Sequence, residues 1–339
     1  MSFAPSNHDK PAVRLFHLTF YKAGSQWVRD ILTDPRLIEC SGHTLAASGI
    51  DLQSSPWPNF SPGQIASPLY SSGAGEWRLV ATPEDRAFVV IRDPRDIVVS
   101  LVYSVSVSHT PTPITLLLRD PIANASSRNK LQIGMFLLAQ WAEYMRSWNR
   151  APEFDNVLLA RYEDLIAGLP AELDRLFSFL HWNVPQSVIH AIAQDNAFAT
   201  RAGRLAGQEN LFSHRRKGIA GDWRNHFNRD LARLFEEAFP GLLTELNYES
   251  QNDWWQSVPA ALPESKVDPV QQHANLLSVL AEFEQELAVT RTAAEERLRD
   301  VLILHDAIAE RDQALAATLS RSAELERQLS RFQVSALGG

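Results

Sequence analysis

The chain has 339 residues, of which 45% are hydrophobic and 21% are charged, and its net charge is −8. The acidic balance excludes a general attraction to nucleic acid or anionic lipid, so any bound anion must meet a local cluster of cations. Cys40 is the only cysteine, which excludes an intrachain disulfide and a zinc site built from cysteines.

Residues 1–10 are polar, and we expect them to be disordered. Between residues 11 and 250, short apolar runs alternate with longer helical patterns, which predicts an α/β domain with a central, mostly parallel sheet flanked by helices. The runs that predict strands are Val13–Phe20, Gln64–Tyr70, Ala87–Ile91 and Val157–Ala160. The sequence has no apolar run of about 18 residues and no apolar signal core, so we expect a cytoplasmic protein without a transmembrane segment.

Helical patterns follow three of these strands. The first begins at Ser25, which is a suitable N-cap, and another begins at Tyr162. Residues 130–149 form the clearest amphipathic pattern, and shorter helices are predicted within 170–195 and 229–247.

The composition changes near residue 251. Residues 251–270 contain several prolines and predict a linker, whereas 271–334 contain neither proline nor glycine. Leucines and other apolar residues there follow an imperfect heptad spacing, which predicts a coiled-coil helix over 271–335 and a homo-oligomer of unspecified number. A single amphipathic helix packed on the first domain and partial disorder are the alternatives.

The turn after the first strand carries a lysine and a glycine. Gly24 allows a close approach of the backbone to an anion, Lys22 supplies charge, and Ser25 and Gln26 offer further donors at a helix start. A purely structural turn is the alternative. No GxxxxGK[ST] motif occurs in the chain, which argues against a nucleoside triphosphatase.

A second cation-bearing segment runs from Val90 to Ser100. Arg92 falls where a strand ends, at the ligand-binding edge of an α/β sheet, and Pro94 opens the next helix. Arg92 and Ser100 are suited to holding one phosphate together. A structural salt bridge between Arg92 and Asp96 is the alternative.

The third segment has three consecutive basic residues, Arg215, Arg216 and Lys217, before Gly218. In an acidic protein this run favours an anion site, with a solvated loop as the alternative. Basic and aromatic residues do not interleave repeatedly around it, so a nucleic-acid partner is not expected.

These segments resemble those of the cytosolic-type sulfotransferase family, which has a P-loop-like fold and uses 3′-phosphoadenosine 5′-phosphosulfate (PAPS). The family's 5′-phosphosulfate loop, approximately Pro-Lys-Ser-Gly-Thr-Thr-Trp, is similar to Tyr21–Trp27. Its Arg and Ser eight residues apart resemble Arg92 and Ser100, and its Tyr-Glu-Asp-Leu segment resembles Tyr162–Leu165. Its Arg-Lys-Gly-x-x-Gly-Asp-Trp-Lys-Asn-His-Phe signature is similar to Arg216–Phe227, and the four segments occur in the family's order.

The resemblance implies a role for each matching residue. Lys22 would be catalytic at the leaving phosphate, and Gly24, Ser25 and Gln26 would hold the 5′-phosphate. Trp27, Tyr162 and Phe198 would form the adenine pocket. The residues that would bind the 3′-phosphate are Arg92, Ser100, Arg216, Lys217 and Gly218. Trp223 is interpreted as a packing residue, and no metal is implied.

The sequence departs from the family at several places. Ala23 and Gln26 replace hydroxyl residues, Tyr21 replaces proline, and Arg224 replaces the lysine of the signature. The region 64–70 also lacks the histidine that commonly accepts the acceptor's proton in the family. His43 is taken as the catalytic base, with the carboxylates of Glu39, Asp51 and Glu76 as alternatives. His17 is interpreted as a core residue.

The expected function is therefore sulfuryl transfer from PAPS to a hydroxyl or amine of a small-molecule, sugar or lipid acceptor, which the sequence does not identify. Residues 41–75 and 104–128 are expected to shape the acceptor pocket. Two alternatives remain. One is a P-loop kinase or nucleoside triphosphatase, and the other is a weak or inactive scaffold that oligomerises through its coiled coil.

Overall fold

The computed structural model describes residues 13–46, 60–70, 73–108, 113–211 and 213–262, together with four single positions further along the chain. The predicted coiled coil over 271–335 lies outside the described residues apart from those single positions, and the predicted disorder of residues 1–10 lies wholly outside them. Asp51 and part of the predicted acceptor segment 41–75 are also outside. The boundary between the two units of the chain falls between Lys266 and Val267.

The described residues form a parallel five-stranded sheet with the strand order β2-β3-β1-β4-β5. The expected α/β class with a parallel central sheet is confirmed. All the strands point the same way, so their carboxyl ends meet at one edge, where ligands of such sheets bind. The strands are β1 (Leu15–Thr19), β2 (Thr44–Leu45), β3 (Gln64–Tyr70), β4 (Arg86–Ile91) and β5 (Val157–Arg161).

Helices cover both faces of this sheet, as the near-continuous apolar strands require. Along β4, Val89 and Ile91 join one buried cluster, whereas Phe88 and Val90 join a second cluster on the opposite face. The helices are α1 (Ser25–Leu32), α2 (Pro35–Ser41), α3 (Ala74–Val80), α4 (Pro94–Tyr103), α5 (Pro113–Asn124), α6 (Ser127–Asn149), α7 (Tyr162–Phe179), α8 (Gln186–Asp195), α9 (Phe198–Ala202), α10 (Arg229–Ala238) and α11 (Leu242–Glu245).

Two helix starts fix the edge at which the strands end. Gly24 caps α1 with a left-handed backbone, so the predicted N-cap, Ser25, is instead the first residue of the helix. Asp93 caps α4 with its side chain, which accepts the backbone N–H of Arg95, and Pro94 follows as the first helical residue. Pro94 needs no hydrogen-bond acceptor for its nitrogen at that position, which is why the Asp-Pro pair ends β4 and begins α4 cleanly.

The C-terminal part of the first unit is bound to the start of α4 through Arg95. The Arg95 guanidinium is 1% exposed, pairs with Asp93 and Glu249, and lies 3.8 Å from the ring of Trp223 and 4.6 Å from that of Trp254. Trp254 is itself buried in the core. The first residues of the predicted linker thus include a tryptophan that supplies buried apolar surface to the domain.

None of the helices in the described part of the chain is long and apolar enough to cross a bilayer.

Candidate active site

The turn between β1 and α1 stands at the carboxyl edge of the sheet. Its backbone is closed by the Ala23 N–H, which donates to the Phe20 carbonyl at 3.1 Å. Lys22 has φ 69°, a left-handed conformation that costs a non-glycine residue about 1–2 kcal/mol. Gly24 has φ 85°, and a Cβ there would lie 2.9 Å from the Tyr162 ring. The turn is therefore tight, strained at its lysine and closed to any side chain at its glycine.

The Lys22 side chain is held by the helix that follows β4. Its Nζ donates to the Ser104 hydroxyl at 3.0 Å, and Ser104 is buried in the π-helical turn Ser104–Ser108 that continues α4. Loss of solvation, followed by the charges of Arg92 and Arg216, lowers the pKa of Lys22 to about 8. The ammonium group is thus positioned by a hydrogen bond and has two cations near it.

Two donors predicted at this turn meet a residue that the sequence reasoning missed. The Tyr70 hydroxyl donates to Ser25 Oγ at 2.8 Å, and Gln26 Nε2 donates to the Tyr70 hydroxyl at 3.3 Å. Tyr70 ends β3, and its partner across the sheet is Thr19 at the end of β1. The alignment of parallel strand ends was the available signal, although it gave no reason to choose this phenol.

Arg92 contacts both the turn at Lys22 and the loop 215–221, which carries the basic run and is called the basic loop below. Its Nη1 donates to the Lys22 carbonyl at 2.8 Å, and its Nη2 lies 3.5 Å from the Ile219 carbonyl. The guanidinium also lies 4.5 Å from the Tyr162 ring centroid and 3.7 Å from the Asp96 carboxylate. Its Nε is buried and has no hydrogen-bond partner among the described residues. The alternative of a salt bridge with Asp96 therefore accounts for only part of its surroundings.

Asp96 attaches the basic loop to α4. One of its carboxylate oxygens accepts the Gly221 N–H at 2.7 Å, and the other accepts the Trp223 N–H at 2.8 Å. Burial raises the pKa of Asp96, and the charge of Arg92 opposes that rise. Trp223 is 3% exposed, as expected for a packing residue. Ser100 lies half-buried on α4, one turn before the Ser104 that contacts Lys22.

Two of the three consecutive basic side chains of this loop share one carboxylate. Arg216 and Lys217 both pair with Asp222, and the Lys217 contact measures 2.6 Å. These cations, together with the His226 hydrogen bond, hold the pKa of Asp222 far below its usual range despite its burial. Sequence reasoning did not give Asp222 a role, although it lies only five residues beyond Lys217. The pairing fixes where the cationic groups lie.

Aromatic residues surround the glycine of this loop and the start of α1. Gly218 has φ 66°, and a Cβ there would lie 2.2 Å from the Phe198 ring. Trp27 meets the Tyr162 ring edge to face at 6.0 Å, and its indole N–H donates to the Asn196 carbonyl at 2.8 Å. Asn196 is buried, and its Oδ1 has no hydrogen-bond partner among the described residues.

The structure does not bring His43 to Lys22. His43 precedes β2, and its ring nitrogens contact the carbonyl oxygens of Ser41 and Val13 at 3.2 Å each. Val13 precedes β1 and Lys22 follows it, and five residues of strand span roughly 16 Å. His43 therefore lies buried at the opposite edge of the sheet from Lys22, a position that does not favour its assignment as catalytic base, and that assignment stays a prediction.

The other proton acceptors considered from the sequence have different surroundings. His17 is fully buried, its Nδ1 lies 2.7 Å from the Ser67 hydroxyl, and burial lowers its pKa to about 3. It is a neutral core residue, as predicted. Glu76 accepts the Gly73 N–H at the start of α3. Across the described ranges, no group of three or more His, Cys, Asp and Glu side chains is arranged to hold a metal ion.

Comparison with known proteins agrees with the segments described above. A family model described as "Sulfotransferase domain" matches residues 78–247. Sulfotransferase 2B1 of Rattus norvegicus is 23% identical over 278 residues, which cover 75% of this chain and 77% of the rat protein. Sulfotransferase 2B1 of Homo sapiens is 25% identical over 259 residues, which cover 70% of this chain and 68% of the human protein. The crystal structure of mouse sulfotransferase SULT7A1 complexed with PAP superposes with a TM-score of 0.49 and 18% identity, covering 73% of this chain and 89% of the mouse chain.

Proposed function

The chain belongs to the sulfotransferase family, and on that premise we propose that it transfers the sulfuryl group of PAPS to a hydroxyl or amine of a small-molecule, sugar or lipid acceptor. The observation that carries this proposal is the position of Arg92. One guanidinium contacts the backbone of the turn at Lys22 and lies beside that of the loop at Ile219. Two anion-binding segments that are almost 200 residues apart are thereby adjacent, which suits a nucleotide with a phosphate on each side of one ribose.

The residues present fit such a nucleotide. Arg92 Nε is buried and without a hydrogen-bond partner among the described residues, so it is available to an anion. Gly24 and Gly218 lack the Cβ that would collide with the rings of Tyr162 and Phe198, so each of these aromatic rings lies directly against a glycine backbone of the proposed site. We assign the 5′ side to Lys22, Gly24 and Ser25, with Gln26 beside them in the same turn, and the 3′-phosphate to Arg92, Ser100, Arg216, Lys217 and Gly218.

The aromatic residues suit the purine. Trp27 and Tyr162 present their rings beside the turn, and Phe198 covers Gly218 at the 3′ side. Stacking of a base on such rings contributes about 1–3 kcal/mol per base. Asn196, whose backbone carbonyl accepts from Trp27, also has an Oδ1 without a hydrogen-bond partner among the described residues, and such an acceptor suits the amino group of adenine.

The chemistry requires charge stabilisation at the leaving phosphate. PAPS supplies a sulfuryl group on a phosphate that leaves as a stable anion. The acceptor oxygen or nitrogen forms its bond to sulfur and gives up its proton to water, while the bond between sulfur and the phosphate oxygen breaks. Lys22 donates a hydrogen bond from Nζ to that phosphate oxygen as it gains charge. Ser104 holds Nζ in position, and the buried surroundings strengthen the interaction. Positioning and electrostatics are then the main sources of rate enhancement.

The acceptor side is proposed from the elements near Lys22. Residues 104–108 form the π-helical turn that contains the lysine's partner, and α5 follows at 113–124. We propose that this stretch and the segment 41–75 shape the acceptor pocket. A non-catalytic scaffold is the second candidate, favoured by the long proline- and glycine-free segment 271–334 and by the absence of histidine in β3.

Binding calorimetry tests the proposed nucleotide. The chain is expected to bind adenosine 3′,5′-bisphosphate at least about 100-fold more tightly than ADP, because three cationic side chains at the 3′ side have no partner in ADP. Equal affinities would contradict the proposal. Turnover is then measured by mass spectrometry, with PAPS and a panel of phenol, sugar and lipid acceptors. No binding of the bisphosphate, together with self-association of the full chain, would favour the scaffold.

The pKa of Lys22 predicts how activity depends on pH. A lysine is charged below its pKa, and this one is lowered from its usual 10.5 to about 8. We therefore expect kcat/KM for PAPS to fall as the pH rises through about 8, because that ratio reports the ionisation of the free enzyme. The measurement uses an acceptor that does not ionise in this range. Lys22→Arg should lose this descending limb, since its guanidinium stays charged. A wild-type profile flat to about pH 9.5 would contradict the assignment.

A further inference from the structure

We propose that Tyr70 is a positioning residue for the 5′-phosphate site, which orients the Ser25 hydroxyl so that its proton faces the bound anion. The inference rests on the proposed nucleotide, because it assigns Ser25 to the 5′-phosphate. It concerns a tyrosine that has no counterpart in the motifs compared above and that the sequence reasoning left without a role.

The position of the Tyr70 ring is set by its strand and by a stacked aromatic neighbour. Tyr70 ends β3 directly beside Thr19, the last residue of β1. Its ring stacks on Tyr21 with centroids 4.2 Å apart and an angle of 5° between the planes, and Tyr21 in turn lies 5.3 Å from Trp141. Trp141 is buried on α6. Packing of these rings therefore fixes the position of the phenol oxygen of Tyr70.

Arg29 determines which way the hydrogen bonds run between Gln26, Tyr70 and Ser25. The Arg29 guanidinium only donates, and it faces Gln26 Oε1 at 3.5 Å, so the amide NH₂ of Gln26 faces the other way. That NH₂ donates to the Tyr70 oxygen at 3.3 Å, and the Tyr70 hydroxyl donates to Ser25 Oγ at 2.8 Å. The reverse direction would place the Gln26 NH₂ against the guanidinium, donor against donor.

Ser25 is the last member of this chain of donors. Its oxygen accepts from Tyr70, so its own proton has to point elsewhere, and it stands in the first turn of α1, where backbone N–H groups lack helical partners. A phosphate oxygen at that helix end accepts a hydrogen bond from this hydroxyl. Each donor polarises the next, so the hydroxyl becomes a better donor to an anion than an isolated serine.

The same geometry changes the role of Gln26. The sequence reasoning placed its amide on the phosphate, but its NH₂ is directed at Tyr70 and its side chain is exposed. Gln26 acts through Tyr70, which explains how an amide stands where the related motif has a hydroxyl. The side chain that donates to the phosphate is then the oriented Ser25 hydroxyl, in addition to Lys22.

The test compares two nucleotides in the full-length chain. Tyr70→Phe keeps the ring and its stack on Tyr21 but removes the hydroxyl. We expect about fivefold weaker binding of adenosine 3′,5′-bisphosphate, the loss of roughly one hydrogen bond's net contribution, and unchanged binding of adenosine 3′-monophosphate, which lacks the 5′-phosphate. Tyr144→Phe, at a half-buried tyrosine of α6, is the matched control and should change neither affinity.

Two further variants separate orientation from folding. Gln26→Leu alters an exposed side chain and should weaken binding of the bisphosphate in the same selective way. In a Ser25→Ala background, Tyr70→Phe should have no further effect, because the group it orients is gone. Equal losses for both nucleotides, or additive losses in the double variant, would overturn the inference. A wild-type chain without a preference for the bisphosphate over ADP would instead contradict the proposed function on which the inference rests.

Discussion

Replacing Lys22 with alanine is expected to lower kcat about a thousandfold, while binding of adenosine 3′,5′-bisphosphate weakens by no more than about tenfold. The asymmetry arises because the ammonium group matters most when charge develops on the leaving oxygen, whereas the product nucleotide is held by several other donors. Its hydrogen bond to Ser104 and its lowered pKa indicate a group placed for such a role. Single-turnover kinetics with PAPS and calorimetry with the bisphosphate measure the two effects separately.

Lys217→Ala is the matched control for this prediction. It also removes one lysine charge, but from the loop, where the ammonium group of Lys217 pairs with Asp222. We expect it to weaken the bisphosphate about tenfold and to change kcat by less than about threefold. If Lys22→Ala instead weakened binding strongly at unchanged kcat, Lys22 would be an anchor for the ground state and its catalytic assignment would be wrong.

Local patterns were sufficient for the main elements of the fold. The boundaries of β3 match the predicted strand Gln64–Tyr70, and α4 begins at Pro94 as the Asp-Pro pair indicated. Strongly apolar runs of five or six residues predict strands of a sheet that is covered on both faces. The helices between them predict that these strands run parallel. Because parallel strands end at one edge, the turn at Lys22 and the end of β4 at Arg92 lie together at the carboxyl edge of the sheet.

Contacts between distant segments could not be derived in the same way. The hydrogen bond from Tyr70 to Ser25 joins residues 45 positions apart, and that from Lys22 to Ser104 joins residues 82 positions apart. No spacing rule selects these partners, because each depends on how two strands or a strand and a helix are aligned in three dimensions. Once the sheet order is known, both partners lie at its carboxyl edge.

For two sequence assignments the structure places a residue differently from what the local pattern suggested. His43 was chosen because it lies in an irregular stretch, but the short strand β2 that follows it pairs with the beginning of β3, so the histidine lies at the amino edge of the sheet. The predicted linker begins at residue 251 because its prolines and polar residues dominate the pattern, yet Trp254 within it is buried. That indole packs against Arg95 and closes the domain.

The second large effect is expected at Arg92. Arg92→Ala should weaken adenosine 3′,5′-bisphosphate about 100-fold or more, because truncating a buried, hydrogen-bonded charge costs roughly 2–5 kcal/mol. The variant loses the donor for the 3′-phosphate and the link between the Lys22 and Ile219 carbonyls at once. Arg92→Lys should recover only part of the affinity, since one ammonium group cannot replace a planar fork with several donors.

The measurement that identifies this role is the ratio of affinities for the bisphosphate and for AMP, which lacks the 3′-phosphate. We expect the ratio to fall toward one in Arg92→Ala, with AMP binding reduced only as far as the turn at Lys22 loosens. Arg86→Ala is the matched control, because Arg86 begins the same strand at the opposite edge and its guanidinium contacts only nearby carbonyl groups in the bonds described. It should leave both affinities unchanged. A ratio that stays at the wild-type value in Arg92→Ala would show that the 3′-phosphate is held by the 216–218 loop without Arg92, which would leave this guanidinium only its structural contacts with the two carbonyls and Asp96.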